Sequence, residues 1–551
     1  MQITFTKAQV EVLTVLAEPP FNLSRFSRSE RVSVDLSKHT TENIDHLKDE
    51  TERFAAIRGM PGVTKEIEMW LKLKADPASS NELTIPSTKR AATLFYAFFL
   101  STERKHIYRC VDENGLNHWL PYLVTSIKYH TAEDRTPEHV TFILKHYLRG
   151  EEQTTSFSMY GKELRGKTCR EALEGIGVRV ENQVLREVYL DHLETYDNTV
   201  NCIGKQFTAV GVADSPGVDS LSHEEGAFWR DHVSIQLDKD GVPSPVVIDI
   251  EKETDKASRT RVSKSIKEDF WQNSDSEVPI ELEIPVHPYV TIFLLKKHMR
   301  LKTHVANLTP HSYDGSLQDK LVLPAAHTRM IDALLKKSKE SFSDVVRNKA
   351  GGVVVLSQGL PGTGKTLTAE IYSESLKRPL YAVQCSQLGL TATALEKNLS
   401  LVLARGNRWG AVTLLDEADV YIHHRGNDLE QNAIVGVFLR VLEYQSGVLF
   451  LTTNRGELVD DAILSRCTVR IPYSIPEPED QKRIWRGLAE SNGIDLSDER
   501  ITAIVNEHKD LSGRDIKNLF KLSMMVYGSS PTSFTPEIIT EMRVYKATTT
   551  S

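Results

Sequence analysis

One short run of residues combines the features of a phosphate-binding turn. Residues 359–366 read GLPGTGKT and fit, at every fixed position, the pattern GxxxxGK followed by Ser or Thr. Glycines let the backbone wrap around a phosphate with its amides pointing inward, where larger side chains would collide. Lys365 can bring a mobile positive charge to the outer phosphates, and the Thr366 hydroxyl can ligate Mg²⁺. The run therefore predicts a site for the phosphates of a nucleotide.

A second run places two carboxylates at the end of an apolar strand. Residues 412–419 read VTLLDEAD. Ligands of an open parallel sheet bind at the carboxyl ends of its strands, so we expect Asp416 to hold Mg²⁺ through water. Glu417 is then placed to polarise an attacking water as general base. An Asp-Glu pair after a strand is common by itself, and the phosphate turn upstream is what favours the catalytic interpretation.

Two further polar residues follow apolar segments downstream. Asn454 comes directly after the strand Val448 to Thr453, where its amide could orient a water between Glu417 and the terminal phosphate. Arg466 ends a short helical segment, and a planar guanidinium suits developing phosphoryl charge. Each residue also has an ordinary structural interpretation, because Asn often caps strands and Arg often forms surface salt bridges.

Strands that alternate with helices would position these candidate residues. From residue 316 the sequence shows that alternation, which is typical of a parallel α/β sheet. We predict such a domain over residues 316–475, with strands at Gly352 to Ser357, Pro379 to Cys385, Ala411 to Asp416, Gly447 to Thr453 and Thr468 to Tyr473. The phosphate turn lies between the first strand and a helix over Thr366 to Leu376. From 476 to 551 only helical patterns remain, at Glu479 to Ser491, Arg500 to Glu507 and Ser512 to Tyr527. This segment is predicted to form a small helical lid.

The N-terminal half differs in character. Residues 1–130 are predicted to be mostly helical, and the apolar run Ala91 to Leu100 is predicted to be a buried helix, too short to cross a bilayer. Residues 131–315 are predicted to form a β-rich α+β domain and linker, with Ala213 to His223 as a flexible loop and Glu251 to Asp269 as a solvated helix or loop. The predicted fold class is therefore α/β at the C-terminus, preceded by a mixed α+β region.

The run VVIDIEK at residues 246–252 faintly resembles a nuclease carboxylate pair near a lysine. The spacing does not fit that motif, because the second carboxylate and the lysine are adjacent. An edge strand is the favoured interpretation.

Composition limits the classes of partner and compartment. The chain has 551 residues and a formal net charge of −8, so a basic surface for duplex nucleic acid is not expected. Its five cysteines are scattered, without a CxxC pair, which suits a reducing compartment and predicts a cytoplasmic protein. The first residues show no basic stretch followed by an apolar run, so neither a signal peptide nor a membrane span is expected.

Together, the phosphate turn, the LLDEAD strand, the TTN strand end and the Ser-Arg pair resemble the AAA+ ATPases. The resemblance covers residues 316–548. Within that family, the chain is most similar to a subgroup with uncharacterised N-terminal domains, known mostly from fungal and bacterial genomes. Further similar stretches lie at residues 321–324 (LVLP), 378–381 (RPLY), 432–444 (NAIVGVFLRVLEY) and 451–455 (LTTNR).

The resemblance implies a role for each matching residue. Lys365 and Thr366 match the Walker A motif, and Asp416 and Glu417 match Walker B. Asn454 matches sensor 1, Arg466 the arginine finger and Arg514 sensor 2, while Arg470 is a candidate second finger. The implied nucleotide-binding set is Gly359, Pro361, Gly362, Thr363, Gly364, Lys365, Thr366, Leu367 and Asp416, with Thr366 and Asp416 also on the metal. The implied ligands are ATP and Mg²⁺. A finger that acts on the neighbouring subunit implies a homo-oligomeric ring, most often a hexamer.

One segment departs from the family pattern. Many protein-unfolding members carry an aromatic residue in the loop after the second strand, whereas residues 386–391 read SQLGLT here, with Leu388 and Leu390 as the apolar side chains. We therefore keep three hypotheses. The first is an ATP-driven remodeller of a protein client that the N-terminal half recruits. The alternatives are a nucleotide-gated assembly switch or scaffold with slow hydrolysis, and a nucleic-acid-sensing defence ATPase.

Overall fold

The computed structural model describes residues 2–13, 15, 21, 31–36, 39–55, 60–75, 81–102, 105–113, 116–133, 136–148, 151–215, 231–235, 242–249, 265–267, 281–337, 352–424, 429–443 and 445–545. Two units divide the chain. The first contains residues 1–201, 251–290 and 304–306, and the second contains residues 202–250, 291–303 and 307–551. Each unit has its own sheets.

The first unit begins with alternating strands and helices. Its strands up to residue 201 are β1 (Gln2–Thr6), β2 (Arg31–Asp35), β3 (His106–Glu113), β4 (Leu116–His130), β5 (His139–Leu148), β6 (Glu151–Tyr160) and β7 (Val178–Val180). Its helices are α1 (Lys7–Val10), α2 (Thr41–Arg53), α3 (Met60–Ala75), α4 (Thr88–Ser101), α5 (Gly161–Leu164), α6 (Cys169–Glu174) and α7 (Gln183–Val200). β1 and β2 pair with each other, and the other five form one antiparallel sheet in the order β6-β5-β4-β3-β7.

The predicted buried helix over Ala91 to Leu100 is confirmed as part of α4. The Ser87 hydroxyl caps it by accepting from the Arg90 amide, and apolar residues surround the helix on nearly every side. The Phe95 ring meets Phe142 of β5 edge-on at 4.9 Å between centroids, so α4 packs onto the sheet. This sheet crosses the boundary expected at residue 130, because β4 pairs with β5. The first 130 residues accordingly contain strands β1–β4 beside their helices.

Residues 202–310 contribute short strands: β8 (Gln206–Ala209), β9 (Gly211–Ser215), β10 (Asp231–Ile235), β11 (Ser244–Ile248), β12 (Ser265–Lys267), β13 (Glu281–Glu283), β14 (Tyr289–Leu294), β15 (Met299–His304) and β16 (Leu308–Pro310). Seven of them form a sheet in the order β10-β9-β15-β14-β11-β8-β16, and β12 pairs with β13.

Three expectations for this segment need correction. β11 lies between β14 and β8, so the edge-strand interpretation was wrong for residues 246–248, while 250–252 lie outside the described residues. Ala213 to Ser215 belong to β9 instead of a loop, because they pair with β10 and β15, while 216–223 lie outside the described residues. Within Glu251 to Asp269, residues 265–267 form strand β12, and the rest of that segment lies outside the described residues.

The predicted parallel sheet of the C-terminal half is confirmed. Its strands are β17 (Val353–Gly359), β18 (Leu380–Gln384), β19 (Val412–Asp416), β20 (Val448–Thr453) and β21 (Val469–Tyr473), all parallel in the order β18-β19-β20-β17-β21. The strand cores are nearly continuous apolar runs, as expected for a sheet covered on both faces. The accompanying helices are α8 (Ala325–Lys337), α9 (Lys365–Leu376), α10 (Ala392–Trp409), α11 (Asp419–Ile422), α12 (Leu429–Glu443) and α13 (Asp461–Arg466).

The predicted helical lid is confirmed as well. It consists of α14 (Pro478–Ser491), α15 (Asp498–Glu507), α16 (Gly513–Tyr527) and α17 (Pro536–Tyr545). Trp485 is fully buried at its centre, where its ring lies near Phe520 and Phe534. The predicted fold class therefore holds for both halves of the chain: a parallel α/β sheet with a helical lid follows a mixed α+β region.

Candidate active site

The strand order brings the predicted chemical residues to one edge of the parallel sheet. β17 lies between β20 and β21, although the chain passes through β18 and β19 before it reaches β20. The connections on the two sides of β17 therefore run in opposite directions, and such a switch point leaves a crevice at the carboxyl ends of the strands. The turn after β17, the carboxylates after β19 and Asn454 after β20 all lie at that edge.

Glycines shape the phosphate turn because the backbone there adopts conformations that other residues avoid. Gly359, Gly362 and Gly364 have φ of 150°, 79° and 101°. A Cβ on Gly359 would lie 2.0 Å from the Tyr473 carbonyl oxygen, so close approach of β21 also requires glycine. The Thr363 hydroxyl donates to the Leu360 carbonyl at 2.8 Å and holds the turn. The turn then leads directly into α9, whose N-terminus favours an anion.

Lys365 is held inside the turn by three oxygen acceptors. Its Nζ donates to the carbonyls of Gly359 at 2.8 Å and Leu360 at 2.7 Å, and to the Asn454 Oδ1 at 2.9 Å. An ammonium has three protons, so these bonds use its full capacity, and a bound phosphate would have to replace some of them. Burial lowers the pKa of Lys365, and the nearby Arg514 charge lowers it further.

Asp416 accepts hydrogen bonds from two threonine hydroxyls, one at the start of α9 and one on the adjacent strand β20. The Thr366 Oγ1 lies 3.1 Å from the Asp416 Oδ1, and the Thr452 Oγ1 donates to the same oxygen at 2.5 Å. The Thr452 hydroxyl also accepts from the Glu417 amide at 2.9 Å. Glu417 has a φ of 56°, a left-handed conformation that is uncommon for any residue with a side chain. One threonine thus orients both carboxylate residues.

Asn454 is fixed from its other side by Asp419. The Asp419 Oδ1 accepts from the Asn454 amide at 3.2 Å and from the Thr453 hydroxyl. Sequence reasoning missed Thr452, Thr453 and Asp419 as members of this network. The available signal was the run TTN at a strand end beside LLDEAD, since strands that pair in parallel bring such ends together.

The lid contributes Arg514 directly to the phosphate turn. The Arg514 amide donates to the Gly362 carbonyl at 3.0 Å, and a Cβ added to Gly362 would lie 2.6 Å from the Arg514 Cβ. Ser512 begins α16 with a capping box to Asp515, which sets the position of the helix start. The predicted sensor arginine therefore stands beside the predicted phosphate turn.

Two predicted arginines have other surroundings. Arg466 donates from Nη1 to the Ala462 carbonyl at 3.2 Å, and its Nη2 lies 3.6 Å from a Glu443 carboxylate oxygen. Arg470 on β21 donates to the Gln358 side chain at 2.6 Å. Within the described part of the chain, neither side chain hydrogen-bonds to Lys365, Asp416 or another residue of the phosphate turn.

The two leucines of residues 386–391 have different environments. Leu388 is fully buried, whereas Leu390 is 71% exposed. Leu390 alone of the two can therefore touch a partner, and Leu388 belongs to the domain core. Near the turn itself, Leu367 is about half exposed on the first turn of α9, and Pro361 is exposed as well.

The donor set at this edge fits a nucleotide with its magnesium ion. Thr366 and Asp416 present hard oxygens 3.1 Å apart, which is the ligand type that Mg²⁺ prefers. The cradle is lined by glycine positions with positive φ, and Lys365 supplies a cation inside it. These features match the requirements of phosphate binding that the sequence pattern predicted.

Comparison with known proteins supports this interpretation. Residues 355–475 match the family described as "ATPase family associated with various cellular activities (AAA)". Over 190 residues the chain is 30% identical to the ATPase family AAA domain-containing protein FIGL1 of Arabidopsis thaliana, covering 32% of this chain and 28% of that protein. Over 176 residues it is 30% identical to a 26S proteasome regulatory subunit homolog of Methanothermobacter thermautotrophicus, covering 30% and 46%.

The solved crystal structure of the FIGL-1 AAA domain is 19% identical over 42% of this chain and 85% of that chain, with a TM-score of 0.35. The matches to FIGL1 and to the proteasome subunit homolog span less than half of each relative. Residues 355–475 are therefore similar to the AAA ATPase family, and the predicted subgroup stays a prediction. Among the described helices, none is both long enough and apolar enough to cross a membrane.

Proposed function

We propose that this chain is a magnesium-dependent ATPase that works as a ring and remodels a protein client. The observation that carries the ATPase part of the proposal is the connected network at the sheet edge. Lys365 contacts Asn454, and Thr366 contacts Asp416, so residues from three strand ends and the helix start meet in one site. A chance glycine-rich turn would not bring a cation, two carboxylate residues and an amide together in this way.

The geometry supports a role for each residue. Lys365 and the turn amides would bind the β- and γ-phosphates, and Thr366 and Asp416 would hold Mg²⁺. When bound, the metal ion neutralises charge on the phosphate oxygens. Glu417 would accept a proton from a water molecule as the water oxygen attacks the γ-phosphorus. The bond to the β–γ bridging oxygen then breaks, and ADP and phosphate leave. Asn454 would orient that water.

Two arginines would complete the site. Arg514 reaches the phosphate turn from the lid, which supports a role in sensing the bound phosphates. Arg466 is about one-third exposed, and the carboxylate near its Nη2, at 3.6 Å, is that of Glu443 instead of a residue of the phosphate site. This placement is compatible with a finger that serves a neighbouring copy, as the resemblance implies. We therefore propose a homo-oligomeric ring, with a hexamer as the expected size.

We propose that the N-terminal half, residues 1–315, recruits a protein client, and that the protein works in the cytoplasm. One observation favours the alternative of a nucleotide-gated assembly switch or scaffold. In the loop 386–391 Leu388 is buried, so Leu390 alone offers an apolar side chain for gripping a client.

ATP hydrolysis by the purified full chain tests the proposal. We expect wild-type protein to bind ATP and to release phosphate in the presence of Mg²⁺. Lys365→Ala should lose binding. Glu417→Gln should keep binding and lose hydrolysis by about 10³-fold, because a general base contributes roughly 10²–10⁴. Glu479→Gln, an exposed carboxylate on the lid, is the matched control and should behave as wild type.

If the Glu417→Gln variant hydrolyses ATP at the wild-type rate, Glu417 is not the general base. Absence of ATP binding in wild-type protein would refute the ATPase proposal itself. The ring is tested separately by mixing Arg466→Ala and Lys365→Ala proteins. Recovery of hydrolysis in the mixture supports sites shared between copies, and no recovery at any ratio contradicts them.

A further inference from the structure

The single helical turn α11 follows the carboxylates of the candidate active site directly. Tyr421, on this turn, is 1% exposed, and its ring stacks over Phe438 of α12 with 6.0 Å between centroids. A buried tyrosine hydroxyl normally needs a hydrogen-bond partner. The partner that Tyr421 finds lies on a different segment of the domain.

The Tyr421 hydroxyl contacts the loop that follows β18. Its oxygen lies 2.7 Å from the Cys385 carbonyl oxygen and 2.7 Å from the Gly389 carbonyl oxygen. Burial raises the pKa of Tyr421 to about 12, so the phenol keeps its proton at neutral pH. A phenol has one proton, while two carbonyls compete for it. The two carbonyls of the loop therefore share the single proton of one hydroxyl.

The same helical turn is bonded to the phosphate site through Asp419, two residues before Tyr421. The Asp419 carboxylate accepts from the Thr453 hydroxyl and from the Asn454 amide at 3.2 Å. Asn454 in turn accepts from the Lys365 ammonium at 2.9 Å. Continuous contacts thus run from the lysine of the phosphate turn, through α11, to the loop.

The loop itself is anchored at its base and open at its tip. Leu388 is buried, and its carbonyl accepts from the Asn398 side chain at 3.2 Å. Gly389 has a φ of 93°, and a Cβ there would lie 2.9 Å from the Ala394 Cβ, so this position requires glycine. Leu390 follows directly and is 71% exposed. A shift in the hydrogen bond at Gly389 would therefore move the exposed side chain next to it.

We propose that Tyr421 is a positioning residue that couples occupancy of the nucleotide site to the conformation of residues 386–391. The coupling rests on the proposed function. A phosphate on Lys365 competes with Asn454 for the ammonium protons. Asn454 then shifts relative to Asp419, α11 follows, and the Tyr421 proton changes its carbonyl acceptor. The ligand can drive this change only if it binds more tightly when the proton lies on one carbonyl than when it lies on the other, which is the requirement for such a switch.

Hydrogen exchange of the full-length chain tests the coupling, with and without the slowly hydrolysed analogue ATPγS and Mg²⁺. In wild type we expect ATPγS to change exchange of the 386–391 amides by about three- to tenfold, the scale of one hydrogen bond. Tyr421→Phe removes only the hydroxyl. It should abolish that change while nucleotide affinity stays within about twofold of wild type.

The matched control is Tyr473→Phe, which deletes another buried hydroxyl of the same domain. That hydroxyl donates to Thr368 at 2.9 Å and does not touch the loop. The control should keep the wild-type response to ATPγS. Asp419→Ala breaks the other end of the connection and should also lose the response, which covers the case in which Tyr421→Phe does not fold.

Each outcome decides between the two proposals. A response to ATPγS that Tyr421→Phe or Asp419→Ala retains in full overturns the coupling. Wild-type protein that binds ATPγS without any change in exchange at residues 386–391 also overturns it and leaves the ATPase proposal standing. If wild type shows no nucleotide binding, the proposed function fails first, and the coupling fails with it.

Discussion

Two aspartates of the second unit follow apolar strands and yet have opposite surroundings. Asp416 ends β19 at the open edge of the parallel sheet, where hydroxyls of Thr366 and Thr452 contact it. Asp249 comes directly after β11 and is completely buried. Its Oδ1 accepts from Arg408 at 2.5 Å and from the Trp409 indole at 2.9 Å.

The comparison shows that its partners decide whether a carboxylate is structural or available to bind a ligand. The second oxygen of Asp249 lies 3.4 Å from the Arg300 Nε, so two guanidiniums flank the buried charge. A buried ion needs such partners to offset its loss of hydration. Asp249 therefore joins the seven-stranded sheet to the end of α10, whereas Asp416, with neutral hydroxyl partners, keeps its charge available for a cation. In the run with the faint nuclease resemblance, Asp249 has this buried role, and residues 250–252 lie outside the described residues.

The largest expected effect is a loss of ATP hydrolysis on substitution of Asp416 at the open sheet edge. Asp416→Asn keeps the shape but removes the charge that would hold Mg²⁺. We expect hydrolysis to fall by about 10³-fold or more, with little change in melting temperature. Phosphate release at saturating ATP and a thermal melt measure the two quantities. A variant that melts far lower than wild type would show that Asp416 is structural like Asp249.

At the buried site the effect should appear in stability instead. Asp249→Ala leaves Arg408 and Arg300 without their carboxylate, so the free energy of unfolding should fall by about 3–5 kcal/mol. Urea unfolding of the full chain measures it. Asp498→Ala is the control, because that carboxylate pairs with Arg486 on the surface and should change stability little. Equal losses in both variants would contradict the assigned role of Asp249.

A smaller loss is expected when the hydroxyl that orients both carboxylate residues is removed. Thr452→Val preserves the side-chain shape but deletes the bond to Asp416 and the acceptor for the Glu417 amide. Loss of a hydrogen bond to a charged group costs about 1.5–3 kcal/mol, which corresponds to roughly 10- to 150-fold in turnover. Steady-state kinetics measure it, with Thr141→Val in the first unit as control. Unchanged turnover would remove Thr452 from the site.

The smallest effect concerns pH. Burial, helped by Arg514, lowers the pKa of Lys365 in the nucleotide-free protein. Only the ammonium form attracts phosphate, so nucleotide affinity should fall as pH rises, and the fall should begin below the range of an ordinary lysine. A fluorescent ATP analogue titrated from about pH 7 to about pH 10 measures it. Lys365→Arg stays charged, and an identical pH dependence in that variant would refute the assignment.

Much of the candidate site could be predicted because its parts lie in short contiguous runs. The phosphate turn, the strand carboxylates and Asn454 each follow an apolar strand, and parallel strands must present these ends at one edge. Thr452 and Asp419 were missed because their contacts depend on which strands are neighbours. The bond between Tyr421 and Gly389 was likewise out of reach, since it joins residues 32 positions apart through a buried hydroxyl.

The sequence by itself determined the parallel sheet, the helical lid and the residue types that meet in the candidate phosphate site. Local patterns suffice for these, because glycines, a lysine and strand-end carboxylates carry their information within a few residues. Tertiary structure alone decided that Asp249 is neutralised by arginine, that Leu388 is buried while Leu390 is exposed, and that β11 is central in its sheet. Burial and charge pairing depend on partners distant in the chain, such as Arg408, 159 positions beyond Asp249.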